Sequence, residues 1–271
     1  MEILAFHWCQ LNLRKSLSDG LKSLIPIIAL LVIWEITSRT IRVMSIFVPP
    51  PSVDLLALYH GIVSLEYFVL IWETLQRMFT AYFLAAAIAI PIGLFLGWNL
   101  RAYKVFEPLI EALRVIPSVA WIAPAIIFFG LSGTSVVFVT FYALFWLFLV
   151  FSLYGVLSID KLALLSFKTV RAKKRDIFTK LIVPGSMVNV AAALRQGIAV
   201  AFIVTISGEM LLSVDGLGYF LLESERIFAY SSIYATLILL SILGYSLTKI
   251  AILVEERFTL KWAIESGIRI G

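Results

Sequence analysis

The sequence predicts an all-α, polytopic membrane protein with six transmembrane helices, and three features predict it. Of its 271 residues 61% are hydrophobic and 14% charged, too few polar side chains to cover a soluble domain of that size. Six runs, at about 21–38, 71–98, 106–130, 134–157, 186–212 and 231–254, reach the roughly 20 apolar residues that cross a bilayer. They are continuous Leu, Ile, Ala and Phe without the alternation of barrel strands, and lipid leaves the backbone only helices or a closed barrel.

Along the chain, residues 1–20 are expected to form a cytoplasmic N-terminal segment, residues 21–257 the six-helix membrane domain and 258–271 a cytoplasmic tail. The first run contains Glu35 and is followed by Thr37-Ser38-Arg39-Thr40, not by a small-residue cleavage site. It is read as a retained anchor, with the mature chain beginning near Met1. After it, Val48-Pro49-Pro50-Pro51-Ser52 should be extended, because each proline fixes its own φ and disfavours helix before it. The prolines then act as a rigid spacer into a short external helix over Val53–Leu65, or as a shelf for a soluble partner.

Charges inside the spans are suspects for function. Glu73 and Arg77 stand at i,i+4 and Glu111 and Arg114 at i,i+3, so local pairing on one helix face is the first expectation. Pro117 should kink the third span just before Ser118. Arg195 and Gln196 are within snorkelling reach of one surface. Glu209 falls near the end of the fifth span, before the Val214-Asp215-Gly216-Leu217-Gly218 turn, where a water-facing carboxylate at a helix end would cost little.

Between the fourth and fifth spans, a loop over about 158–183 gathers Lys168, Arg171, Lys173, Lys174, Arg175 and Lys180 among Leu162, Leu165, Val170, Ile177, Phe178, Leu181 and Ile182. Short amphipathic helices suit it, broken near Lys173-Lys174 and stopped at Pro184-Gly185. With a cytoplasmic N-terminus, those bases join Arg14, Lys15, Lys22, Arg101, Lys104, Lys161, Lys249, Arg257, Lys261 and Arg269 inside, leaving Arg39, Arg42 and Arg226 outside. This asymmetry predicts both termini in the cytoplasm. The bases then serve positive-inside retention, or the loop is a docking surface for a soluble protein.

Several classes are excluded. Cys9 is the sole cysteine and His7 and His60 the only histidines, so no metal site is expected. The bases interrupt apolar runs instead of covering a folded polar face, which argues against nucleic acid. No phosphate-binding loop, nucleophile elbow or His-Glu-x-x-His helix occurs, so the chain is not read as an enzyme and any ATP is hydrolysed elsewhere.

Five stretches together resemble one family: VPPPS (48–52), TLQR (74–77), IPIGLFLGW (90–98), EPLIEALRVIPSVAWIAPAIIFFG (107–130) and GEMLLSVDGLGY (208–219). They are similar to the membrane permeases of ATP-binding cassette importers, in the nitrate, sulfonate and taurine branch, over nearly the whole chain after the first span. The resemblance implies the type I importer permease fold in an inner membrane. It further implies two copies of a cytoplasmic ATP-binding subunit, a periplasmic or lipid-anchored solute-binding protein and a second permease chain, a homodimer being preferred to a heterodimer. ATP and Mg would sit on the ATPase, with no cofactor on this chain. The expected solute is small, with an anion such as nitrate, a sulfonate, taurine or bicarbonate ahead of a neutral vitamin precursor.

The same resemblance makes the 158–183 loop a coupling element seated in the ATPase, carried by Leu165, Phe167, Val170, Arg171, Ile177, Phe178 and Pro184. The family pattern is Glu-Ala-Ala, three residues, Gly, nine residues, Ile, one residue, Leu-Pro. Aligned on Pro184, this chain has Leu165-Ser166-Phe167 for Glu-Ala-Ala, Arg171 for the glycine, Leu181 for Ile and Val183 for Leu. Arg171 replaces a residue suited to positive φ. The path is expected along the third, fourth and fifth spans, with Ser118, Ser207 and Glu209 facing water or gating ahead of Arg77 and Arg195. Pro49, Pro50 and Pro51 would dock the binding protein. The rival reading is a secondary transporter or channel without an ATPase, which calls for midplane acids or an inverted repeat; a structural or assembly protein is a third class.

Overall fold

A computed structural model of the protein describes residues 25–26, 28–41 and 44–266. The described residues are helical almost throughout. Helix α1 covers 28–40, α2 Met44–Phe47 and α3 Pro51–Val63. Then follow α4 Glu66–Trp98, α5 Leu100–Arg114, a 3₁₀ turn at Ser118–Trp121, α6 Ile122–Phe129 and α7 Gly133–Leu157. The chain ends with α8 Lys161–Thr169, α9 Lys174–Ile177, a π turn at Phe178–Ile182, α10 Val183–Leu212, α11 Leu217–Arg226 and α12 Tyr230–Ser266.

Helices α4, α7 and α10 form the core, sharing Met78, Tyr82, Leu144, Phe148, Leu149, Leu153, Ala193 and Ala201. Lipid tails are as apolar as leucine, so this packing depends on close backbone approach and interhelical hydrogen bonds rather than on a hydrophobic drive. Gly93 and Gly97, one turn apart on α4, let it lie directly on α7: a Cβ at Gly93 would stand 2.5 Å from the Leu149 carbonyl oxygen. Thr140 and Thr205 meet hydroxyl to hydroxyl at 3.3 Å between α7 and α10, and Tyr67 meets Thr236 at 3.1 Å between α4 and α12. Helix α12 leans on α10, α3 and α11, while α1 stands outermost, held by a Trp34–Tyr234 edge contact and by Ser38 donating to the Val48 carbonyl.

Five helices among the described residues are long and apolar enough to span, and a sixth is supplied if one bent pair counts as a span. That pair carries the kink expected at Pro117, as a sharp break between two helices. Leu100–Arg114 and Ser118–Phe129 meet at 83°, because Pro117, extended at φ −59 and ψ 137, lacks an N–H and holds the chain off helix. Helix α5 buries only Ile110 below its polar face. The short helix expected at 53–65 is α3, lengthened by α2 into a 19-residue apolar stretch, Ser45–Val63. Part of the first predicted span, at 21–24 and 27, lies outside the described residues, as do the N-terminal segment and residues 267–271.

The expected stop at Pro184 does not occur. Lys174–Leu212 is one helical run of 39 residues. A proline is tolerated in the first turn of a helix, where its missing N–H would be unpaired. Here Pro184 follows the π turn, in which the Val183 N–H reaches back to the Phe178 carbonyl, so the run passes the proline without ending.

Candidate functional site: a buried carboxylate node and a basic hairpin

The two ends of the bundle carry the polar chemistry. At the end where α4 begins and α10 finishes, Glu209 is wholly buried. It accepts from the Thr74 hydroxyl at 2.9 Å, from Arg77 Nη1 at 2.9 Å and from the Gly218 N–H at 3.0 Å. Arg77 also donates to the Asp215 carbonyl at 3.1 Å and pairs with the Asp215 carboxylate. The Leu217 N–H donates to Thr74 Oγ1 at 3.0 Å. Thr74 and Glu209 thereby satisfy the first N–H groups of α11, which its own turn leaves unbonded, and the carboxylate sits at the positive end of that helix.

The turn is shaped for this. Gly216 has φ +95, and a Cβ there would lie 2.4 Å from Glu209 Oε1; one at Gly218 would lie 2.3 Å from the Ile206 carbonyl oxygen. Only glycines let the backbone close over the carboxylate. The TLQR and GEMLLSVDGLGY stretches are thus two halves of one node.

This revises the charged-residue expectations. Glu209 is not water-facing: burial is complete and three donors plus a helix terminus compensate it. Arg77 does not pair with Glu73 four residues earlier but joins α4 to α10 and to the α10–α11 turn. Glu111 and Arg114 do pair on α5, through Arg114 Nε and Nη2 at 2.9 and 2.6 Å. Arg195 bridges to Glu255 of α12 at 2.5 Å. Ser207 is exposed on α10, its hydroxyl bonded to the Ile203 carbonyl at 3.0 Å, and Ser118, half-buried, opens the 3₁₀ turn at the 83° break. Neither serine bonds to Glu209.

A second acid caps a helix in the same way. Glu35 of α1 accepts the Ser52 N–H at 3.1 Å and the Ser52 hydroxyl at 2.9 Å, at the start of α3, with Arg39 closing the group at 2.6 Å. Pro51 stands in the first turn of α3, and both Pro49 and Pro51 are buried, Pro50 half-buried. Two of the three proline rings expected to form a shelf pack inward.

At the opposite end, α8 and α9 form a hairpin turned at Val170–Lys173. Arg171 takes φ +53, the left-handed conformation that glycine adopts freely and other residues at a cost of about 1 kcal/mol. Where the resemblance aligns a glycine, this chain thus has an arginine in a conformation that glycine adopts freely. The hairpin has two faces. Phe167, Ile177 and Phe178 pack inward with Val156, Leu164, Leu181 and Ile182, and Phe178 lies 5.0 Å from Trp98 of α4, centroid to centroid. Leu165 and Val170 point out, at 54% and 76% exposure, beside Leu162 at 72%. Of the residues expected on a single docking surface, Leu165, Val170 and Arg171 are free to meet a partner, while Phe167, Ile177 and Phe178 fix the hairpin to the bundle. Pro184 lies in the helical run behind it.

The Arg77–Glu209 bond escaped sequence reading because its partners are 132 residues apart. The available signal was Thr74 three residues before Arg77 on one helix face, matched by an acid, Asp215 and two glycines at the end of another span.

Comparison with known proteins is consistent with this architecture. Residues 89–259 match the family of binding-protein-dependent transport system inner membrane components. A probable ABC transporter permease of Brucella melitensis is 29% identical over 189 residues, covering 70% of this chain and 77% of that one. A taurine transport system permease of Escherichia coli is 23% identical over 249 residues, covering 90% and 88%. Among solved structures, the MetNI methionine ABC transporter in an inward-facing conformation superposes with a TM-score of 0.61 at 17% identity, over 70% of this chain and 95% of that chain.

Proposed function

The chain belongs to the family of binding-protein-dependent transport system inner membrane components, and from that premise we propose that it is the membrane half of an importer driven by a separate ATPase. Two copies enclose the path. Two ATP-binding subunits seat on the α8–α9 hairpins, and a solute-binding protein delivers solute at the α2–α3 and α11 end. Both termini lie in the cytoplasm, on the side where the Lys and Arg residues collect.

The observation that carries this reading is the continuous helix Lys174–Leu212. Its length, about 60 Å at 1.5 Å per residue, spans the bilayer from hairpin to node. The hairpin joined to one end bears exposed apolar side chains, Leu162, Leu165 and Val170, interleaved with bases, the composition of an interface centre and its rim. The other end bears Glu209, bound to α4 through Thr74 and Arg77. A displacement of the hairpin by the ATPase is transmitted along one rigid element to the node. Phe167, Ile177 and Phe178 make the transmission stiff by clamping the hairpin to α4 and α7.

The solute is a small anion or zwitterion, of which nitrate, sulfonates, taurine and bicarbonate are the candidates; the likeness to a taurine permease over most of both chains supports this class. The test is ATPase copurification and ATP-dependent uptake of labelled taurine, with nitrate and bicarbonate as competitors. Val170→Asp should abolish copurification while leaving membrane insertion unchanged. Copurification undiminished in that variant would remove the coupling role and leave a basic retention loop.

A further inference from the structure

The Arg77 node contains an imbalance that its present geometry leaves unresolved. Against one guanidinium stand Glu209 and Asp215, both bonded to it. Four residues before Arg77, and within the same spanning helix, Glu73 has Oε2 sealed from solvent with no hydrogen-bond partner among the described residues. Glu73 as a whole is half-exposed, and its sealed oxygen lacks a cation to compensate it. The spacing supplies one: Glu before Arg at i,i+4 is the favourable order on a helix and puts the two side chains on one face.

We propose that Glu73 is the alternate partner of Arg77, receiving its guanidinium when the end of α10 and the Ser213–Gly216 turn lift away from α4. The inference rests on the alternating cycle proposed above and deepens it. In the locked state Arg77 holds Glu209 and Asp215. In the lifted state those two acids move off with α10 toward water, and Arg77, which belongs to α4 and cannot follow, turns one helical turn back to Glu73. The guanidinium is compensated on both sides of the transition, so opening does not leave a bare charge in apolar surroundings. Glu73 is a positioning residue here; it acts through Arg77 and does not touch solute.

The experiment uses the assembled permease–ATPase complex in proteoliposomes, with Cys9→Ser removing the native thiol and Ser224→Cys as reporter. Ser224 is 3% exposed on α11 and becomes accessible when that helix lifts. Maleimide labelling is followed with and without Mg-ATP. The reference chain should label faster with ATP; in Glu73→Gln that increase should fall about tenfold, and Glu73→Asp should retain it. An ATP-driven increase in Glu73→Gln within about twofold of the reference, or equal loss in Glu73→Asp, overturns the inference. A Glu73→Gln chain that no longer assembles also overturns it, since a residue without a partner in the locked state is not needed to form that state. If ATP changes nothing in the reference chain, the ATP-driven reading itself fails; if the reference responds and Glu73→Gln responds equally, this inference fails alone.

Discussion

Gly216 closes over Glu209 so tightly that a single added carbon at position 216 would stand 2.4 Å from the carboxylate. The node therefore depends on the absence of a side chain as much as on its charges. Gly216→Ala adds both that collision and the strain of φ +95. It should lower the thermal midpoint of the detergent-solubilised protein by several degrees and raise maleimide labelling at Ser224→Cys without ATP. An unchanged midpoint would mean that the turn relaxes at no cost.

Arg77 and Glu209 should be strongly coupled. Removing one member of a buried ion pair leaves an uncompensated charge and costs about 3–5 kcal/mol, more than removing both. Arg77→Met and Glu209→Gln should each reduce stability markedly, and the double variant should be less impaired than their sum. Simple additivity in the double-mutant cycle would show that Asp215 and Thr74 carry the node instead.

Arg171 has a strained backbone and no hydrogen bond or ion pair among the described residues to offset it. Arg171→Gly should therefore stabilise the isolated permease by up to about 1 kcal/mol. The expected companion effect is weaker ATPase copurification, the strain being offset by a contact in the complex. Unaltered copurification with raised stability would mark Arg171 as a replacement without a role in docking.

Asp54 is wholly buried and both its carboxylate oxygens lack partners among the described residues. Burying an unpaired carboxylate is unfavourable, and a neutral amide of the same shape relieves most of that cost. Asp54→Asn should raise the thermal midpoint by relieving that cost. A lower midpoint would reveal an essential charge.

Orientation is checked by cysteine labelling in a Cys9→Ser background. Lys174→Cys and Arg257→Cys should react from the cytoplasmic side, and Arg226→Cys, exposed at the end of α11, from the opposite side. The buried Asp54 position is unsuitable as a reporter. Reaction of position 174 from outside would invert the topology.

Much of this protein follows from its sequence alone. The apolar runs set the helices because hydropathy and the demand for backbone pairing act residue by residue along the chain. The Lys and Arg asymmetry sets the expected orientation, and the 158–183 loop is legible as a polar hairpin. Tertiary structure alone decided where each charge went. Arg77 had an acid within one helical turn and took two others from distant segments. Glu35 and Glu209, read as charges in or near spans, became caps for α3 and α11. Pro184 met a π turn and did not stop its helix, and the hairpin's apolar residues divided into an anchored and a free face. These outcomes depend on which helices approach closely enough to share donors and acceptors, and a periodicity along one segment contains no record of its neighbour.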